Sequence, residues 1–142
     1  MKKIILVILG VVLFLFISCK SEPDHVTVQH ILIAFKGSIP KDSIKRTQFE
    51  AELLVKEIYK RAKETQDFDK LVKNFSDDQY PGIYKMSNFD VEPDETEGEY
   101  PRSKMVKGFG DLSFKLSVNK IGLVKYDSET SKYGWHIIKR IE

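Results

Sequence analysis

The chain has 142 residues and a formal net charge of +2, with 42% hydrophobic and 31% charged side chains. This length allows one modest domain with its own core, and the composition is that of an ordinary globular protein. Without Lys2 and Lys3, 21 basic side chains stand against 21 acidic ones. Such a balance gives no indication of nucleic-acid binding, so we expect none.

The first 18 residues differ from the rest of the chain. Lys2 and Lys3 are followed by an unbroken apolar run over residues 4–17. This run is shorter than the roughly 20 residues that a membrane-spanning helix needs. A basic start followed by an apolar middle of this length is typical of a secretory signal, which we place at residues 1–18.

Cys19 is the only cysteine, and it follows the small residue Ser18 at the end of the apolar run. This arrangement resembles the processing box of bacterial lipoproteins. The resemblance implies a lipid anchor on Cys19, a tether over residues 19–24, and a place in the cell envelope on the extracytoplasmic side of a bacterial membrane. An uncleaved anchor and an ordinary secretory signal with an incidental cysteine are the alternatives.

Residues 25–142 are predicted to form one domain that begins with a strand and two helices. The alternation of side chains over residues 24–35 (DHVTVQHILIAF) predicts the strand. A helical period follows, and Asp67 is suited to cap a second, short helix. The apolar face of the first helix is predicted to consist of Phe49, Leu53, Ile58 and Ala62.

The second half of the domain is predicted to add three strands. Residues 83–89 suit a short strand, and the segment from Met105 suits one or two helical turns. Residues 121–127 and 134–142 have the pattern of a β-hairpin. This order predicts an α+β domain with a small, mostly antiparallel, four-stranded sheet, packed with about four helices. The first strand is expected in the middle of the sheet, because both of its faces are apolar.

His30 and His136 occupy similar positions on two of these strands. Alternation gives each of them apolar neighbours on the same face, so both should be half-buried, and the two could be adjacent. A hydrogen-bonded core histidine is the commoner explanation for such a pattern. Two scattered histidines without a thiolate lack the spacing of a zinc site, and we expect no metal and no cofactor.

Four segments, in order along the chain, resemble the parvulin peptidyl-prolyl isomerases. They are VQHILIAF (28–35, opening strand), DFDKLVKNFSDD (67–78, second helix and turn), KMVKGFGDLSFKL (104–116, proline-pocket segment) and YGWHIIKRIE (133–142, closing strand). The resemblance implies a parvulin-like (FKBP-like) domain over residues 25–142.

The same resemblance implies a set of active-site residues. His30 and His136 match the two histidines at the floor of the site, and Asp78 matches a position that holds cysteine or aspartate in the family. The alternative for the apolar positions is simple core packing, and the alternative for Asp78 is a helix-end or turn residue. The residues that match the pocket for the substrate proline ring are Ile83, Met105, Phe109 and Phe114.

The activity implied is cis–trans isomerisation of Xaa-Pro bonds, which needs neither a nucleophile nor a metal. The substrates would be proline-containing unfolded or extended polypeptides among exported proteins, with the isomerase assisting their folding. A non-catalytic parvulin-fold chaperone and a peptide-binding envelope lipoprotein are the alternatives.

An acidic insertion near residues 90–100, DVEPDETEGEY, contains six carboxylates and no basic side chain. Like charges of this density are typical of an extended, solvated loop. If the loop instead hangs over the substrate groove, its field should favour lysine or arginine beside the proline.

Overall fold

The computed structural model describes residues 21–142. The predicted signal segment at 1–18 and the lipid anchor on Cys19 lie outside these residues. Among residues 21–142, no helix combines the length and apolar character needed to cross a membrane. The strands are β1 (His25–Ile33), β2 (Ile83–Ser87), β3 (Tyr100–Pro101), β4 (Ile121–Val124) and β5 (Trp135–Arg140). The α-helices are α1 (Gln48–Glu64), α2 (Phe68–Phe75) and α3 (Lys107–Lys115).

The five strands form one sheet in the order β3-β2-β1-β5-β4. All neighbouring pairs are antiparallel except β2 and β3, which are parallel. The α+β class, the central position of β1 and the β4–β5 hairpin are therefore as predicted. The predicted strand count of four is wrong, because β3 is a two-residue strand inside the segment expected to be irregular.

The predicted helix count of about four is also wrong. The described chain has three α-helices and two single-turn 3₁₀ helices, Glu95–Glu97 and Arg102–Lys104. The segment from Met105 forms the longer α3, although glycine lowers helix propensity. A Cβ on Gly108 would lie 2.7 Å from a methyl carbon of Val124, so glycine here lets α3 pack closely on β4.

The sheet separates two layers of helices. On one face, Ile31 and Ile33 of β1 pack with α1 and α2. On the other face, Val26 and Val28 pack with α3. The alternation along β1 thus buries both of its faces, and it places His30 on the α3 side.

The apolar face predicted for α1 is partly wrong. Phe49 and Leu53 are 68% and 50% exposed. Ile58 and Ala62 are buried as predicted, but the first half of the helix buries Ala51 and Val55, each two residues after the predicted position. At α2, the Asp67 carboxylate accepts a hydrogen bond from the backbone N–H of Lys70 at 3.0 Å, as the predicted cap requires.

Candidate active site

A cavity of about 370 Å³ opens on the α3 side of the sheet. Its floor comes from β1 and β5, and one wall comes from the segment that leads into α3. Five apolar residues line it: Leu32, Ile39, Met105, Val106 and Phe109. Seven polar or charged residues complete the lining: His30, Asp77, Asp78, Tyr84, Lys104, Tyr133 and His136.

His30 and His136 lie next to each other on the floor of this cavity. β1 and β5 are antiparallel neighbours, with Leu32 opposite His136 in the register. The two Nδ1 atoms are 3.3 Å apart, and the rings are nearly parallel at 19° with centroids 5.5 Å apart. Each histidine is 3% exposed. The two histidines that the sequence suggested as possible neighbours are therefore in direct contact.

Asp78 joins this pair from the turn after α2. Its Oδ2 atom lies 2.9 Å from Nε2 of His30 and accepts a hydrogen bond from the Tyr84 hydroxyl at 2.7 Å. The hydrogen bond with His30, followed in weight by that from Tyr84, holds the pKa of the Asp78 carboxyl well below its usual range. Because an ionised carboxylate can only accept, Nε2 of His30 is the donor.

The hydrogen bonds continue from His30 to His136. Burial lowers the pKa of His136 to about 3, so this ring is neutral. One proton lies between the two Nδ1 atoms, because two bare lone pairs would not approach to 3.3 Å without it. Tyr84, Asp78, His30 and His136 thus form one hydrogen-bonded chain along the cavity floor.

Met105 and Phe109 form the apolar wall beside this chain. Phe109 is 2% exposed, and its ring meets that of His30 edge-on with centroids 5.0 Å apart. Its ring also meets those of His136 at 5.4 Å and Tyr84 at 5.7 Å. Met105 is half-buried and lies at the start of the segment leading into α3. The cavity therefore combines an apolar wall with a polar chain at its base.

Two residues proposed for the pocket do not line the cavity. Phe114 is 2% exposed in the core, where the Arg102 guanidinium lies 4.8 Å from its ring centroid. It follows Phe109 by five residues, which turns it to another side of the helix. Ile83 is 45% exposed and pairs with Gln29, on the face of the sheet opposite the cavity.

Tyr84 takes the place in the cavity that the sequence interpretation gave to Ile83. Tyr84 lies opposite Val28, so it shares a face with His30. Alternation along β2 places Tyr84 on one face with Met86 and Ile83 on the other, and only the pairing with β1 shows which face meets the cavity. The resemblance placed the pocket residue one position too early, and successive residues of a strand point to opposite faces of the sheet.

Asp77 lines the cavity but is engaged by the β1–α1 loop. Its carboxylate accepts hydrogen bonds from the Ala34 N–H at 2.8 Å and from the Arg46 guanidinium. The ammonium group of Lys41 donates to the Asp77 carbonyl at 3.1 Å. These contacts fasten the loop to the turn that carries Asp78.

None of residues 90–100 lines the cavity, which argues against the alternative of an acidic loop over the groove and agrees with a solvated loop. Glu99 accepts a hydrogen bond from His25 at 3.0 Å, and Glu97 pairs with Lys85. His25 begins β1, and His30, the nearest β1 residue of the cavity, is five residues on, or about 17 Å along the strand. Within residues 21–142, no cluster of three or more His, Cys, Asp or Glu side chains is arranged to hold a metal ion.

Comparison with known proteins identifies the family. The model of the PPIC-type PPIase domain matches residues 11–142. The chain belongs to this family. It is a parvulin-type peptidyl-prolyl cis–trans isomerase, as the four segments predicted. The structure titled "Solution structure of the TbPIN1" has the same fold, with a TM-score of 0.62 and 20% identity, over 84% of this chain and 98% of that one. No curated protein matches the sequence.

Proposed function

We propose that the cavity is where this parvulin rotates Xaa-Pro bonds, and that its substrates are unfolded or extended exported polypeptides. One observation carries the proposal: the apolar wall of Met105 and Phe109 stands directly beside the hydrogen-bonded pair of His30 and His136. A proline ring and the amide that precedes it need both kinds of surface at this spacing.

The amide bond presents a barrier of about 18–20 kcal/mol, which arises from its partial double-bond character. Twisting the bond ends the conjugation and leaves a more ketone-like carbonyl and a more basic nitrogen. A catalyst that binds the twisted amide better than either planar form lowers this barrier without breaking any bond. Met105 and Phe109 would hold the ring and exclude water, which strengthens each polar contact in the cavity.

The two histidines would act by holding the geometry of the cavity floor. Both are 3% exposed, and the polar atoms on the Nδ1 sides of their rings face each other. Buried and mutually bonded rings are poorly suited to proton transfer with a substrate. They are well suited to keep Asp78 and Phe109 in fixed positions.

We also propose that Cys19 is lipidated and that the domain is held at the extracytoplasmic surface of a bacterial membrane. The support is the sequence pattern at residues 1–19 together with the start of the described chain. The Glu22 carboxylate, three residues after Cys19, pairs with the Arg102 guanidinium. An anchor on Cys19 would therefore keep the domain close to the lipid.

The test of the catalytic site compares two methionines. Met105→Ala should lower kcat/KM for an Xaa-Pro peptide, measured by protease-free exchange NMR, because the proline ring loses one wall. Met86→Ala is the matched control: Met86 is fully buried in the core and does not line the cavity, so its loss should reduce stability and leave the rate of the folded fraction unchanged. Peptide binding without isomerisation by the unsubstituted protein would instead favour the non-catalytic chaperone.

The test of the anchor is mass spectrometry of the mature N-terminus. We expect a modified Cys19 as the first residue, and release from membranes or accumulation of precursor in Cys19→Ser. An unmodified Cys19, or a first residue elsewhere, would contradict the anchor without affecting the catalytic proposal.

A further inference from the structure

Tyr84 is a cavity residue whose hydroxyl group has no role in the site as described so far. It presents a hydroxyl group at the base of an otherwise apolar wall, and this hydroxyl donates to Asp78 Oδ2 at 2.7 Å. The same oxygen is bound by His30 Nε2 at 2.9 Å. Two donors therefore converge on one oxygen of one carboxylate.

The position of this carboxylate presents a problem for the reaction. The twisted amide carries a more negative carbonyl oxygen than the planar amide does, and an ionised carboxylate facing it would repel it. The Asp78 side chain is 28% exposed at the cavity, so without restraint it could rotate toward the substrate. Its charge must be held away from the carbonyl oxygen for the cavity to favour the twisted amide.

Without Tyr84, the Asp78 carboxylate would keep the hydrogen bond with His30 and a backbone contact from the adjacent Gln79, so only His30 would tie it to another element of the fold. The Tyr84 hydroxyl adds a second restraint from another strand. Its ring is fixed edge-on against His30 at 5.2 Å and against Phe109 at 5.7 Å, so the hydroxyl has little freedom. Burial, followed in weight by the bond to Asp78, raises the pKa of Tyr84, and the hydroxyl therefore remains a donor at any physiological pH.

We propose that Tyr84 is a positioning residue of the isomerase, which holds the ionised Asp78 carboxylate against His30 and away from the bound amide. The ring of Tyr84 is a wall of the proline pocket, and its hydroxyl sets the direction of Asp78. The proposal rests on the isomerase site described above. The other ionisable groups that face this part of the cavity are Asp77, Lys104, Tyr133 and His136.

The test is Tyr84→Phe, which removes the hydroxyl and keeps the ring. A hydrogen bond to a charged group is typically worth about tenfold or more in an equilibrium or rate, so kcat should fall about tenfold. KM should change less than about twofold, because the ring that contacts the proline is kept. The pKa of the Asp78 carboxyl, followed by ¹³C NMR, should rise, because a donor to the ionised form is lost.

Tyr100→Phe is the matched control. The Tyr100 ring lies 6.0 Å from that of Tyr84, but Tyr100 is half exposed and does not line the cavity. Removing the Tyr100 hydroxyl should leave kcat, KM and the Asp78 pKa unchanged. In an Asp78→Ala background, Tyr84→Phe should have no further effect on kcat, because the hydroxyl acts only through that carboxylate.

An unchanged kcat or an unchanged Asp78 pKa in Tyr84→Phe would overturn the proposal, and so would an additive loss in the double variant. If Tyr84→Phe does not fold, the test is a pH titration of Tyr84 in the unsubstituted protein. The Tyr84 phenol should stay protonated above about pH 10, the ordinary pKa of tyrosine. Ionisation at or below that value would show that the bond to Asp78 is not made. The carboxyl titration needs no turnover, so it separates failure of this proposal from failure of the isomerase site.

Discussion

Replacing Arg102 by methionine should destabilise the domain, because Arg102 joins Glu22, ahead of β1, to the helix that carries the cavity wall. Its side chain is 6% exposed and forms ion pairs with Glu22 and, at 2.8 Å, with Asp111 of α3. It also donates to the Asn88 side chain at 2.9 Å. The guanidinium lies 4.6 Å from the ring centroid of Phe89. Methionine retains most of the apolar stem and removes every one of these contacts.

The magnitude follows from the exposure of the partners. A hydrogen bond to a charged group contributes about 1.5–3 kcal/mol. The Glu22 and Asp111 side chains are 36% and 28% exposed, so both can regain water when Arg102 is lost, and the contributions must be discounted for this. We expect a loss of about 2–4 kcal/mol in the free energy of unfolding. For a domain of this size, about 4 °C of Tm corresponds to 1 kcal/mol, so Tm should fall by about 8–16 °C.

Thermal unfolding followed by circular dichroism measures this directly. Lys104→Met is the control, because Lys104 belongs to the same 3₁₀ turn and is exposed, and it should change stability by less than about 0.5 kcal/mol. A loss for Arg102→Met no larger than that of the control would refute the reasoning, since the ion pairs would then contribute nothing beyond a surface contact.

Two further predictions concern charge and capping. The depressed pKa of Asp78 means that its contribution to stability is present above about pH 3.9, its unfolded value, and is lost as the pH falls through the folded value. The free energy of unfolding should therefore fall more steeply below pH 4 in the unsubstituted protein than in Asp78→Asn, as measured by denaturant titrations at several pH values. Parallel pH dependences of the two proteins would argue against a stabilising, ionised Asp78. Thr47→Ala should cost about 1 kcal/mol, because Thr47 and Glu50 form a capping box at the start of α1; no change in the urea midpoint would exclude a stabilising cap.

The elements that the sequence predicted well are those with strong local periodicity. β1 alternates over its whole length, and this alone placed His30 on a buried face and β1 in the centre of the sheet. Asp67 indicated the start of α2, because aspartate is favoured at the N-cap, where its carboxylate accepts from the backbone of the first turn. These features depend on residues close together in the chain, which is why they could be predicted without a structure.

The features that were missed depend on long-range register. β3 consists of two residues, and it exists only because Tyr100 meets Met86 of β2. Tyr84 and Ile83 are neighbours in the chain on opposite faces of β2, and only the pairing with β1 decides which of them enters the cavity. Phe114 and Phe109 are both aromatic and both pack in the same core cluster, but the way α3 packs on the sheet brings only Phe109 to the cavity as well.

Exchange NMR of an Ala-Pro peptide with the unsubstituted protein tests the central claim most directly, when it is combined with the methyl shift of Met105 and the ring shifts of His30 and His136. We predict that a small amount of protein produces cis–trans exchange within the mixing time, although the uncatalysed process takes tens to hundreds of seconds. The same peptide should shift the Met105 methyl and both histidine rings. Exchange at the uncatalysed rate, or shifts confined to the surface around His25 and Glu99, would contradict the assignment of this cavity as the site of isomerisation.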